Sequence, residues 1–380
     1  MTVALPLVIS LAVMAYAWPA SRIAPRDLPI GVVGTSTASQ KAVEGLAHSK
    51  PGGFDFHLYP DQASASSAIK SREVYGAFVV TPGRVKVMEA TAASTSVAQL
   101  LTTAGRQLAA HAPKSPVRHT TSSDGRPPRS GASKSVRKTA PRVEVVDIVP
   151  IAASDPRGVV FSSALLPLTM CGIAIAALIA LSGGRIPVWR RLIDLVAACA
   201  VTGFTAYLIA QGLLGALPHQ HVATWAALSL TMLAISSTAV GLITRIGSPG
   251  LGLSAVLMVF VGNPFSGSTS APELLPKAVA DIGQWLPPGA GANLLRGTAY
   301  FDGNGSAGPV AVLVVWSVLG LASVALGRRN PAAGNGASAE DLPRSGAASA
   351  PSLAVSGAAT ALSPAPVDHP HAHARHAAHE

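Results

Sequence analysis

The chain has 380 residues, 49% hydrophobic and only 12% charged, with a mean hydropathy of +0.41. Soluble domains carry about 25% charge, so a simple cytosolic globule is excluded, as are a wholly disordered chain and a disulfide scaffold, with two cysteines present. The 28 Lys and Arg against 18 Asp and Glu leave +10, but most of this excess falls in one segment, so no nucleic-acid partner is expected.

Crossing about 30 Å of hydrocarbon takes about 20 apolar residues. Six runs approach that length: residues 2–18, 158–181, 192–217, 222–244, 250–265 and 309–327. In the first, Ala15, Tyr16 and Ala17 resemble a signal-peptidase site, but no basic segment precedes the run and it exceeds a signal core in length. An uncleaved anchor is expected.

Residues 27–111 change to short β-branched or aromatic runs between helix-like stretches, the pattern of a small α/β domain. Strands are predicted over 30–34, 54–59, 75–80 and 85–90, the last two as a hairpin around Pro82 and Gly83. Helices are predicted over 37–47, from a cap at Asp61 through Ile69, and over 96–110. Gly31 and Gly34 do not form G-x-G-x-x-G, and no G-x-x-x-x-G-K-[ST] occurs. Residues 113–142 form a low-complexity linker with eight Lys and Arg and one acid, so +7 of the +10 sits there. This charge solvates a disordered insertion or attracts anionic headgroups or cell-wall polymers. Residues 143–149 resume strand character.

Within the later runs, Asp194 lies three residues past Arg191, where it is hydrated or pairs with Arg190. Gln211 lines a cavity or bonds to a neighbouring helix, and Cys171 and Cys199 are small packing residues. The segment Gly-Asn-Pro-Phe-Ser-Gly at 262–267 is expected to break the fifth run. The amphipathic stretch 271–303 after it suits a re-entrant or interfacial hairpin, with Trp285 and Tyr300 at headgroup depth. Beyond Arg329 the chain is an Ala, Gly, Ser and Pro-rich tail holding His369, His371, His373, His376 and His379, a weak candidate for adventitious metal binding.

Cytoplasmic loops are enriched in Lys and Arg. Arg185, Arg190, Arg191, Arg245, Arg328 and Arg329 all fall on one side of the span map. Both termini are therefore expected in the cytoplasm and residues 21–157 outside. The expected fold is an α-helical polytopic membrane protein of the plasma membrane. It has six transmembrane helices, with a small extracytoplasmic α/β domain inserted between the first and second. The expected units are a first helix (1–20), the α/β domain (21–157, with its linker 113–142), a five-helix bundle (158–329, with a hairpin at about 263–303) and a disordered tail (330–380).

One N-terminal span, an extracytoplasmic domain opening with Asp-Leu-Pro-Ile-Gly-Val-Val-Gly at 27–34, the 262–267 block and Leu-Pro-Pro-Gly-Ala-Gly-Ala-Asn-Leu-Leu-Arg-Gly at 286–297 together resemble permeases of the second ABC exporter class. The nearest branch is the phage infection protein family (YhgE/Pip), and the resemblance covers residues 1–330. It implies a permease half that dimerises with a second permease subunit, as homo- or heterodimer, and takes ATP hydrolysis from a separate cytoplasmic ABC ATPase subunit. It further implies a coupling loop at 183–191, carrying Arg185, Arg190 and Arg191, and an outer element shaping the translocation path at 263–301, including Asn263, Pro264 and Trp285, with Gln211 nearby. The sequence departs from the family in lacking a cytoplasmic amphipathic helix before the first span and in its basic linker. The expected function is export of a hydrophobic or amphiphilic substrate, with no enzymatic activity and no cofactor in the chain itself. The alternative is a cell-surface receptor or scaffold that binds an envelope component without transport.

Overall fold

The computed structural model describes residues 4–34, 37–81, 84–111, 142–156, 158–182, 186–217 and 220–327. Arg185, residues 113–141 of the basic linker and the histidines of the tail lie outside the described residues. Met1–Arg329 forms one compact unit.

The chain begins with helix α1 (Ala4–Ser21) and then builds a five-stranded sheet in the order β2-β1-β3-β4-β5. Strand β1 (Leu28–Val33) pairs in parallel with β2 (Phe54–Tyr59) and with β3 (Gly76–Thr81). Strand β3 forms an antiparallel hairpin with β4 (Arg84–Glu89), and β5 (Arg142–Asp147) adds in parallel to β4. Strand β1 is buried along most of its length, whereas edge strand β2 is exposed at Asp55, His57 and Leu58 and half-buried elsewhere.

Helices α2 (Thr37–Ser49), α3 (Gln62–Lys70) and α4 (Thr95–His111) lie between the strands in sequence. The Asp61 side chain caps α3 by accepting from the Ser64 N–H at 2.8 Å, as the sequence predicts. Leu28, Ile30, Phe78, Val85 and Val87 pack with Leu101 of α4 in one core. Ala77, Val79 and Met88 pack with Ile69 of α3 in another that continues through Tyr300 and Phe301 into the helical part.

Among the described residues, five helices are long and apolar enough to cross a membrane: Val159–Leu181, Val188–Leu213, His221–Ile246, Ser248–Phe265 and Ala307–Ala325. The first is α5. The second is α6 (Val188–Tyr207) extended by a π-helical turn, Leu208–Leu213, and the third is α7 (His221–Ile246). The fourth runs from α8 (Ser248–Ala255) through a π-helical stretch, Val256–Gly262, into α9 (Asn263–Phe265), and the fifth is α12 (Ala307–Ala325). The 262–267 block ends this helix as expected: it stops at Phe265, and Gly267 beyond it takes a left-handed φ of +66°, while Pro264 lies in the last turn, α9, after the π-helical register shift. Helix α1, 18 residues long, is not among the five.

Helix α7 is the hub, 67% buried where the other four spans are at most 28% buried. Apolar packing gains little when the alternative solvent is lipid, so close approach and hydrogen bonds must hold such a bundle. A Cβ on Gly172 of α5 would lie 2.9 Å from Ile235 of α7, and Ser236 Oγ of α7 donates to the Gly172 carbonyl at 2.8 Å. Trp225 Nε1 donates to the Ala200 carbonyl across α6 and α7.

The chain alternates direction through the bundle. Ser154 Oγ donates to the Gly215 carbonyl and Tyr300 Oη to that of Ala216, so the α6–α7 connection lies beside the start of α5, at the sheet end. Gly327, past α12, lies against Thr244 near the end of α7. Arg245 and the α6 start with Arg190 and Arg191 are thus at the end opposite the sheet.

Candidate functional site

Prolines and glycines shape the segment between the fourth and fifth spans. After α9 come a 3-10 turn (Pro272–Leu274), α10 (Lys277–Trp285) and α11 (Pro287–Tyr300). The turn and α11 each start on a proline, whose fixed φ favours a first helical position. Every residue of α11 except Asn293 is buried. The run Gly289-Ala290-Gly291-Ala292 presents almost no side-chain bulk, which lets the helix lie directly against α7; a Cβ on Gly291 would meet Thr231 of α7. The expected headgroup position is therefore corrected for Tyr300. Helix α11 is enclosed by protein, and Tyr300, 5% exposed, spends its hydroxyl on the Ala216 carbonyl instead of on headgroups. Trp285 does face outward, 70% exposed, while its carbonyl accepts from Trp316 Nε1.

A polar seam ties this segment to the sheet. Tyr75 Oη donates to Glu273 Oε2 at 2.6 Å, and the backbone N–H groups of Ala24 and Arg26 donate to the carbonyls of Leu274 and Glu273. Arg72, in the left-handed region at φ +65°, donates to the Asn293 carbonyl (3.2 Å) and to Asn293 Oδ1 (2.8 Å), with its guanidinium over the Phe301 ring at 5.4 Å. Asn293 passes the chain on to Gln284, and Gln284 to the Ser266 carbonyl. Burial, followed by the Glu273 charge and the hydrogen bond to it, holds the Tyr75 hydroxyl well above its ordinary pKa.

Arg296 is the deepest cation at this junction, 6% exposed. Its Nη2 donates to the Ser268 carbonyl at 3.1 Å, and its Cζ lies 4.8 Å above the Phe161 ring. Among the described residues no carboxylate lies within ion-pairing distance of it. Burial lowers its pKa to about 10 and raises that of Tyr300 to about 12.

Arg296 and Tyr300 line a cavity of about 40 Å³ whose other walls are mostly hydroxyl-bearing, from Thr91, Ser94 and Thr95 to Ser162 and residues 268–270. A second cavity of about 220 Å³ shares Ser162 and residues 268–270 but is otherwise bounded chiefly by Tyr16, Ile23, Leu165, Leu166, Pro264 and Leu275. A polar cationic chamber and an apolar one thus lie on the two sides of the 268–270 loop. Among the described residues no group of three or more His, Cys, Asp or Glu could hold a metal ion.

Comparison of the chain with protein-family models, with curated proteins and with solved structures finds no match.

The residues expected from sequence are not gathered in one place. Asn263 and Pro264 line the apolar cavity; Asn263 Oδ1 accepts from Thr169, while its Nδ2 is buried without a partner among the described residues. Gln211 lies in the π-helical turn after α6 with its Oε1 buried and likewise without a partner, and it lines neither cavity. Arg190 is exposed at the far end, and Arg191 is half-buried with Nε unpartnered. Among the described residues Asp194 makes no ion pair with Arg190. Cys171 and Cys199 are both free. Arg296, Arg72, Tyr75 and Glu273 were not singled out by sequence reasoning. The available signal was Arg296 itself, a lone charge in the apolar, small-residue run 286–297.

Proposed function

We propose that the chain is a permease subunit of an ATP-driven exporter of the second ABC class, moving a hydrophobic or amphiphilic substrate across the plasma membrane. In this reading α1 is a sixth span, both termini are cytoplasmic, the sheet layer is extracytoplasmic, and a second permease subunit completes the path. The observation that carries it is the segregation of the two ends. The sheet and the cavities share one end, and the start of α6, with Arg190 exposed and Arg191 half-buried, lies at the other, where a cytoplasmic ATPase can dock. A bundle with one buried hub and four largely exposed apolar spans leaves faces for lipid and for the second subunit. The absence of a P-loop motif from the sequence agrees with a separate ATPase subunit.

The test is purification in mild detergent with its ATPase partner. The expected outcome is a stoichiometric nucleotide-binding subunit whose hydrolysis is stimulated by the wild-type chain and several-fold less by an Arg190→Glu, Arg191→Glu double variant. Unchanged stimulation removes the coupling role from this helix start. Repeated absence of an ATPase favours the receptor or scaffold reading, which the sheet layer, with its exposed edge strand β2, also suits.

A further inference from the structure

We propose that the two cavities flanking the 268–270 loop form one binding site for an anionic amphiphile, with the acidic headgroup on Arg296 and the acyl chain in the apolar chamber between α1 and α5. This deepens the exporter reading and rests on it for the ligand's direction of movement, but the binding it asserts is measurable without any ATPase.

A guanidinium carries five N–H donors and cannot lose its charge in a protein. That of Arg296 uses one of them on the Ser268 carbonyl and lays its face on Phe161. It is buried, lines the cavity and has no carboxylate partner among the described residues. Three carboxylates act near this site, and all are engaged: Asp147 accepts from the Thr91 N–H and hydroxyl. Asp155, buried, accepts from the Val159 and Val160 N–H groups with its two oxygens, and Glu273 accepts from Tyr75. Buried charges are normally paired, because desolvation of a lone cation is costly. The partner missing from Arg296 is an anion, and a planar fork matches carboxylate or phosphate oxygens.

The hydroxyls around it suit the same ligand. Of those lining the cavity, Ser162 and Thr91 already donate to protein acceptors, while the Thr95 and Thr269 hydroxyls make no hydrogen bond within the described residues. A free inorganic anion would need only this chamber. The second chamber argues for a tail. It opens from the same loop, is walled by Ile23, Leu165, Leu166 and Leu275, and lies against α5, a helix apolar on every face.

The test uses the purified full chain in zwitterionic mixed micelles, with lipid retention read by native mass spectrometry. The probes are dioleoyl phosphatidylglycerol, dioleoyl phosphatidylcholine and inorganic phosphate. The phosphatidylglycerol is expected to be retained about tenfold or more tightly than phosphatidylcholine, the size of a charge-assisted hydrogen-bond contribution, and more tightly than phosphate. Arg296→Gln should abolish that preference. Thr269 is exposed on the shared loop, so Thr269→Trp should block both chambers without disturbing packing, and it keeps the test open if Arg296→Gln does not fold. Equal retention of the two lipids, or a preference surviving both variants that fold, overturns the proposal. Phosphate binding as tight as phosphatidylglycerol binding overturns the amphiphile assignment. Failure of ATPase coupling with lipid preference intact overturns the exporter reading and leaves this site standing.

Discussion

Replacing Gly291 by alanine tests the packing on which the junction depends, because two effects of opposite sign compete. In a helix interior Gly→Ala stabilises by about 0.5–1 kcal/mol through backbone entropy. At Gly291 the new Cβ would lie 2.7 Å from Thr231 Oγ1 and 3.1 Å from Thr231 Cβ. Thr231 cannot simply turn away: its hydroxyl donates to the Ala227 carbonyl at 2.7 Å, and a β-branched side chain in a helix has few rotamers. Helices α7 and α11 must therefore separate, an overpacking cost of about 1–3 kcal/mol. The clash wins, for a net loss of about 0.5–2 kcal/mol, or several degrees in melting temperature at about 2–4 °C per kcal/mol. Gly45, within α2, has nothing within 4 Å of its would-be Cβ, so Gly45→Ala should raise the melting temperature where Gly291→Ala lowers it. Thr231→Ala should restore Gly291→Ala with a coupling of about 1 kcal/mol or more. The assay is thermal unfolding of the purified protein in detergent. If both glycine variants are stabilised, the close approach of α11 to α7 is wrong.

Two further outcomes follow from the polar groups. Glu89 on β4 is buried, and burial, aided by the Asp147 charge, raises its pKa against the opposing hydrogen bond from Thr102. A carboxyl whose folded pKa is raised stabilises fully below its unfolded pKa and loses that contribution as pH rises through the folded value. Glu89→Gln should therefore gain melting temperature at neutral pH and lose the gain below about pH 4; a difference constant across pH would refute this. Asp155, 4% exposed, caps α5 with both carboxylate oxygens at 2.8 Å. Asp155→Ala should cost about 0.5–2 kcal/mol, with Asn recovering part of it, and a neutral Ala variant would show that the cap is not needed.

Where a feature depends on neighbours in sequence, it was legible. Residues 54–59 alternate and form β2 over Phe54–Tyr59, and Asp61 caps α3 as its spacing predicts. Later apolar runs of about 20 residues form helices long and apolar enough to span a membrane, a property that length and composition alone decide. The π-helical stretches were hidden, since they cost a single shift of hydrogen-bond register and leave the apolar pattern intact. The junction was hidden for a different reason. Tyr75 meets Glu273 across 198 residues, and Arg72 meets Asn293 across 221, separations at which no periodicity carries information.

A charge count along residues 271–303 sets Lys277 and Arg296 against Glu273, Asp281 and Asp302. That arithmetic assumes every charge in a connection reaches water, and α11 violates the assumption. Its Gly and Ala positions let it sink against α7, and Arg296 goes down with the backbone. The small residues and the buried cation therefore have one cause. A bulkier α11 would stand off the bundle and return Arg296 to solvent, so the close packing tested at Gly291 is also what creates the cationic chamber.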